Sequence, residues 1–296
     1  MPSEDTTNLR ASSGPAESPR DARHESPHVS YAALVVSGAG FLVWSLGWFA
    51  LIPNHELQLG WILEVLGPLL IAAAMAMSFR NIALRIGTRA VVLGILGAIA
   101  LGVSTLPFGI YPVNLETSDY VAEGYALYGI GLILGSGALL LVLAKKESDL
   151  GAALTGSQSP CPGDCTCRNI VHSSFSSITT GAIGLIVWGI GFLGLAVEPS
   201  GNRFDWILAA VGSLLVSVAL TMHFEHLCRR FGRVAIVIAV IGAFLWSLAY
   251  VLMAINPHAL PTSTWYNILF TCYAVSHLLT AVTMLLVARR ERDLEH

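Results

Sequence analysis

The chain has 296 residues, of which 54% are hydrophobic and 12% are charged, and its formal net charge is −3. An ordinary soluble domain has about 25% charged residues. With a mean hydropathy of +0.68, this chain has too little polar surface to cover one water-soluble core. The composition therefore excludes a soluble globular protein, and lipid must be the main solvent.

The N-terminal segment, residues 1–30, is rich in Ser, Pro and charged residues and has almost no large apolar side chain. Such a segment lacks the apolar surface needed to fold alone, so we expect a disordered tail. It is not typical of a cleaved signal peptide, because the apolar run begins late and no cleavage pattern follows. We expect the first apolar run to act as an uncleaved signal-anchor.

Eight apolar runs follow, each close to the length of about 20 residues that crosses about 30 Å of hydrocarbon. Leu, Ala, Val, Ile and Gly dominate them, without the alternation typical of barrel strands. The sequence therefore predicts an all-α integral membrane protein, since a soluble bundle would need charged helix faces. The approximate ranges are 31–52, 60–78, 90–109, 124–144, 176–197, 206–224, 234–254 and 266–288.

Positive charge is divided very unevenly between the segments that join these runs. Fifteen of the sixteen Lys and Arg residues lie in the tail, the 79–90 loop, the central linker, the 225–234 loop and the C-terminal segment. Only Arg203 lies in the other four loops. Loops rich in Lys and Arg translocate poorly, so we predict a multi-pass cell-membrane protein with the linker and both termini in the cytosol.

The chain also repeats itself at a spacing of about 144 residues. The segment LAKKESDL at 143–150 is echoed by VARRERDL at 287–294. Each unit has an even number of spans, so both copies enter from the cytosol and the repeats are parallel. Other matches join Gly40, Val43, Trp44, Gly47, Trp61, Gly67, Arg85 and Gly87 to Gly184, Val187, Trp188, Gly191, Trp206, Gly212, Arg230 and Gly232. The predicted units are a tail (1–30), a four-helix repeat (31–150), a linker (151–173) and a second four-helix repeat (174–296).

All seven Trp residues fall in the outer half of the membrane under this topology. One interpretation is a one-sided aromatic belt that anchors the protein at the interface. The alternative is an outward-facing aromatic cavity between the repeats, suited to a lipid, a sugar or another flat or apolar ligand. Trp44 and Trp188, at matching places in the two copies, are candidate substrate-binding residues.

Glu64 is an ionisable residue inside a span, about one turn into the second predicted helix and four residues before Pro68. Charged residues at this depth are costly and are candidates for function. The second copy has Ala209 at the matching place. We therefore consider a ligand-binding or proton-relay role, with a buried group satisfied by a neighbouring helix as the alternative.

The linker contains the segment CPGDCTC, which places three cysteines in seven residues. A cytosolic location argues against a resting disulfide. Thiolates and an imidazole suit zinc, so a candidate site consists of Cys161, Cys165, Cys167, His172 and Cys228. The spacing differs from the usual paired zinc knuckles, and a flexible linker with incidental thiols is the alternative.

Two further histidine features follow the linker. His223 and His226 lie three residues apart at the cytosolic end of the sixth predicted helix, where one helix face could present both to a metal. His277 lies near the middle of the last helix, beside Ser276, and its first-copy counterpart is Leu132. We consider the same two roles for His277 as for Glu64. A haem would need mid-membrane histidines on two facing helices, and only His277 is so placed.

No nucleotide-binding loop, serine nucleophile, zinc-protease or kinase motif is present, which favours a protein that is not an enzyme. We expect a carrier or permease for a small uncharged or lipid-like solute, with its path between the repeats. A non-transporting scaffold or sensor with a thiol-bearing linker is the first alternative, and a membrane redox or metal protein is the second. The expected partners are the bilayer and a homo-oligomer or membrane complex, with no nucleic acid.

Overall fold

A computed structural model describes residues 30–53, 57–110, 119–154, 174–198, 202–257 and 263–295. All regular structure in these ranges is helical, which confirms the predicted all-α class. Residues 1–29 of the predicted tail and residues 155–173 of the predicted linker lie outside the described residues. The helices are α1 (Tyr31–Leu51), α2 (Gln58–Met77), α3 (Phe79–Ile86), α4 (Thr88–Ser104), α5 (Leu106–Ile110), α6 (Asp119–Leu154), α7 (Phe175–Val197), α8 (Arg203–Thr221), α9 (Phe224–Phe231), α10 (Arg233–Ile255) and α11 (Thr264–Glu295).

Within the described chain, eight helical segments are long and apolar enough to cross a membrane. They are α1, α2, α4 with α5, α6, α7, α8, α10 and α11, in agreement with the eight predicted runs. Helices α6 and α11 continue beyond their apolar runs through LAKKESDL and VARRERDL. Ala, Leu, Lys, Glu and Arg are strong helix formers, so both helices extend past the predicted ends of their spans.

Helices α3 and α9 are short segments that the sequence analysis treated as loops. Each has eight residues, combines apolar with polar or charged side chains, and has no buried residue. Each ends at a single glycine, Gly87 or Gly232, that begins the next long helix with φ of 93°. This backbone conformation is open mainly to glycine, so these two residues allow the abrupt change of chain direction.

The eight long helices form a closed ring in chain order, which we call the helix ring. Each packs against its neighbours along the chain, and α11 closes the ring by packing against α1. One link in this closure is the Ser45 hydroxyl, which donates a hydrogen bond of 2.7 Å to the carbonyl oxygen of Ala274. The ring buries one set of helix faces and leaves large apolar residues such as Leu42, Leu46 and Ile190 exposed outside.

Small residues bring the first two helices of each predicted repeat close together. A Cβ atom on Gly40 would lie 2.8 Å from the carbonyl oxygen of Gly67, and one on Gly184 would lie 2.8 Å from that of Gly212. In lipid, helices associate through such close backbone packing because no hydrophobic effect draws them together. These contacts fix where α1 crosses α2 and where α7 crosses α8.

Candidate functional site

The inside of the helix ring is filled largely by aromatic side chains. Four of the seven Trp residues are buried, and Trp48, Trp246 and Trp265 are half-buried. Apart from Trp265, these indoles pack against other aromatic residues of the interior, whereas an interfacial belt would present them to lipid. The main core cluster includes Leu51, Trp61, Trp188, Phe192, Trp206, Tyr250, Met253, Phe270 and Tyr273.

Glu64 points from α2 into this interior and is fully buried, with 0% of its surface exposed. Its Oε2 atom accepts a hydrogen bond of 2.5 Å from Nε1 of Trp44 on α1. Its Oε1 atom has no hydrogen bond of good geometry among the described residues, although the backbone amide of Trp48 interacts with the carboxylate. Gly47 makes room for this carboxylate, since a Cβ on Gly47 would lie 2.6 Å from Oε1. One carboxylate oxygen is therefore left without a well-formed hydrogen bond.

His277 on α11 lies between two indoles. Its imidazole centroid is 4.3 Å from that of Trp44 and 4.6 Å from that of Trp246 on α10. Its Nδ1 atom lies 2.7 Å from the carbonyl oxygen of Tyr273, which only accepts hydrogen bonds, so we assign the proton of a neutral imidazole to Nδ1. The remaining Nε2 atom is buried and has no hydrogen-bond partner in the described chain.

Trp44, Glu64, Trp246 and His277 thus form one connected group, which we call the Glu64 site. The fourth predicted substrate-binding residue, Trp188, joins it indirectly, because its indole packs 5.5 Å from that of Trp246. In the predicted second copy the place of Glu64 is taken by Ala209, so Trp188 has no equivalent carboxylate. The indole of Trp188 packs instead against Tyr250, at 5.1 Å between ring centroids.

Trp246 was not among the predicted site residues. It bridges Trp44 and Trp188, with centroid distances of 5.7 and 5.5 Å. In the predicted repeat its place in the first copy is taken by Leu101, so under that prediction it occurs in one copy only, as Glu64 and His277 do. This difference between the predicted copies is the sequence signal that could have marked Trp246 as a candidate.

The histidine pair near α9 has a structural role in the described chain. The imidazoles of His223 and His226 lie 5.6 Å apart, and Nε2 of His223 accepts a hydrogen bond of 2.7 Å from the backbone amide of Ser174. At the matching place in the first half, the hydroxyl oxygen of Ser78 accepts a 3.3 Å hydrogen bond from the amide of Ser30. His223 and Ser78 therefore each accept a hydrogen bond from the backbone amide just before a long helix. In His223 this bond occupies one of the two imidazole nitrogens.

The predicted zinc site stays a prediction. Cys161, Cys165, Cys167 and His172 lie outside the described residues. Cys228 is a half-buried free thiol. Among the described residues, no three His, Cys, Asp or Glu side chains are grouped closely enough to hold a metal ion. A surface pocket of about 370 Å³ lies beside the histidine pair and is lined in part by Glu225 and Arg229.

A charged group lies where α3, α9 and the end of α11 come together. Burial lowers the pKa of the Arg85 guanidinium, nearby Arg230 lowers it further, and Glu291 opposes both effects. Glu291 is buried, with 4% of its surface exposed. These three side chains therefore influence one another electrostatically at the end of the helix ring that carries α3 and α9.

The Glu64 site thus offers two buried hydrogen-bond acceptors, Oε1 of Glu64 and Nε2 of His277, beside the faces of two indoles. Such a site can bind a partner that donates hydrogen bonds and packs against aromatic surfaces. No known protein family, curated protein or solved structure matches this chain.

Proposed function

We propose that the chain is a membrane carrier for a small uncharged or lipid-like solute, which binds at the Glu64 site inside the helix ring. The observation that carries the proposal is the position of two unsatisfied acceptors within a closed ring of membrane-length helices. Leaving buried polar groups unpaired costs free energy, and this cost is higher in a membrane interior. Such groups inside the ring are therefore best explained by a ligand.

The proposed frame is two tandem, parallel four-helix repeats. Support comes from paired contacts about 144 residues apart. Nζ of Lys145 donates a 2.8 Å hydrogen bond to the carbonyl oxygen of Leu84, and Nη2 of Arg290 donates a 3.2 Å bond to that of Arg229. Each pair ties a cation from α6 or α11 to the end of a short helix, where a positive charge is favourable. The two amide bonds to Ser78 and His223 form a second matched pair.

The proposed orientation places both termini in the cytosol, at the end of the helix ring that carries α3 and α9. The electrostatic interaction between Arg85 and Arg230 supports parallel copies, since equivalent residues of an inverted pair would lie at opposite ends. The concentration of Lys and Arg at this end supports its cytosolic side.

Thiol accessibility tests the carrier proposal. In a chain whose native cysteines are replaced by serine, Phe41→Cys and Leu132→Cys introduce thiols into the ring interior; Phe41 lies 6.3 Å from His277. In proteoliposomes, we expect both to react with membrane-impermeant methanethiosulfonate reagents added to either side, because a carrier opens its site to each side in turn.

Leu46→Cys is the control, because Leu46 is 49% exposed on the outer, lipid-facing surface of the same helix as Phe41. It should stay unreactive. Interior thiols that react from neither side would contradict the carrier and favour the scaffold alternative.

A further inference from the structure

Glu64 has no counter-ion within the described chain. Helices α1, α2 and α7 contain no Lys or Arg, and the basic residues described on α4, α8 and α10 lie in their first turn. Those of α6 and α11 lie near the C-terminal ends of these helices. A carboxylate buried at this depth is stable when it is protonated or when a cation pairs with it.

The atoms that lack partners match a ligand that donates hydrogen bonds. An ionised carboxylate only accepts, and the Nδ1–H tautomer of His277 leaves Nε2 as an acceptor. Oε1 of Glu64 and Nε2 of His277 therefore both need a donor. Nε1 of Trp48 is an unpaired donor in the described chain, so an oxygen substituent on the same ligand would also find a partner.

The surrounding aromatic faces also favour positive charge. Trp44 and Trp246 both pack against His277, and Trp48 packs 4.7 Å from Tyr273 between ring centroids. Indole and phenol faces attract ammonium groups, most strongly where water is excluded. A carboxylate next to several such faces is the combination that recognises an organic ammonium ion. The core residues around the site are apolar, and contact with them would favour an alkyl group on the ligand.

We propose that the Glu64 site binds the ammonium group of a lipid-like organic cation, with the carboxylate of Glu64 as its counter-ion and the indoles of Trp44 and Trp246 as its aromatic contacts. Only the statement that this cation is the transported solute rests on the proposed function. Binding itself stands on the charge, burial and stacking of these residues.

Binding is measured on the full-length chain in a non-ionic detergent, with methylammonium and octylammonium chloride, whose N–H groups can donate hydrogen bonds, as probes against equal sodium chloride. We expect saturable quenching of tryptophan fluorescence, tighter for the octyl compound because its chain meets the apolar walls. Glu64→Gln keeps the size and polarity of the side chain but removes its charge, and should weaken affinity at least tenfold. Glu123→Gln, at an exposed position on α6, should leave binding unchanged.

A second variant covers the case in which Glu64→Gln does not fold. Trp246→Leu removes an aromatic face without touching the carboxylate, and should weaken binding by roughly 2- to 30-fold. Equal affinity of the original chain and both variants, or no saturable response to either probe, would overturn the ammonium site. Equal affinity for the two probes would overturn the claim that the bound cation is lipid-like, because the octyl chain would then make no favourable contact.

The two proposals fail in different ways. Ammonium binding in detergent without labelling of the interior thiols would leave the ammonium site in place and remove the carrier. If the interior thiols are labelled from both sides but no ammonium ion binds, the carrier proposal would stand and the ammonium proposal would fail.

Discussion

At the scale of single residues, the same residue type serves different ends in this chain. His277 is enclosed by aromatic side chains and has an unsatisfied nitrogen, whereas His223 makes a backbone bond that a serine makes in the other half of the chain. Sequence spacing made His223 and His226 look like a metal pair. The bond from Ser174 that occupies Nε2 of His223 joins residues 49 positions apart, so helix periodicity gave no sign of it.

The role of His223 leads to a prediction. His223→Ala removes the acceptor for the Ser174 amide and should reduce the free energy of unfolding by about 0.5–1.5 kcal/mol, the usual net value of one such bond. His223→Ser should restore most of it, because Ser78 holds the amide of Ser30 in the equivalent position. Thermal unfolding in detergent measures both variants.

A metal role for His223 would give a different pattern. Added zinc would then raise the melting temperature of the original chain, and serine would restore nothing.

At the scale of helices, glycine sets how closely α1 and α2 pack and therefore where the carboxylate of Glu64 meets the indole of Trp44. A Cβ on Gly67 would lie 2.5 Å from the Cβ of Trp44 and 3.0 Å from the carbonyl oxygen of Gly40. Distances this short leave no room for even one methyl group. Gly67 therefore sets both the crossing of α1 with α2 and the position of Trp44 beside Glu64.

Gly67→Ala should therefore lower the free energy of unfolding by about 1–3 kcal/mol, the range for overpacking a tight interface. Gly135→Ala on α6 is a matched control, because its nearest neighbour would be the flexible end of Leu185 at 3.4 Å. There the gain in helix propensity should leave stability equal or higher. Melting curves of the two variants in detergent check the difference, and equal losses would contradict the proposed crossing.

At the scale of the whole molecule, the helix ring has an aromatic interior and a charged end. Glu291, on the last helix, is the acidic neighbour of Arg85, on α3, and so links distant parts of the chain. Its counterpart in the repeat pattern, Glu147, is exposed. The two predicted copies therefore differ at this end, as they do at Glu64 and His277.

Removing the charge of Glu291 should weaken this end. Glu291→Gln leaves Arg85 without its acidic neighbour, and we expect a loss of about 0.5–3 kcal/mol in stability, the usual range for a change at a buried position. Glu147→Gln should change stability by less than about 0.5 kcal/mol, as is usual for an exposed position. Unfolding in detergent compares the pair, and a similar effect of both changes would argue against the charged group.

The sequence by itself determined that this is a chain of eight apolar helices, because the length and hydropathy of each run are local properties. It also marked Glu64 and His277, since ionisable residues are rare in such runs. Only the tertiary structure decided that these two residues, 213 positions apart, both contact Trp44, and that Trp246 belongs with them. The physical reason is that helices in lipid are apolar on every face, so hydrophobic periodicity does not mark the side that turns inward. That side is chosen by small residues at the crossings and by closure of α11 onto α1.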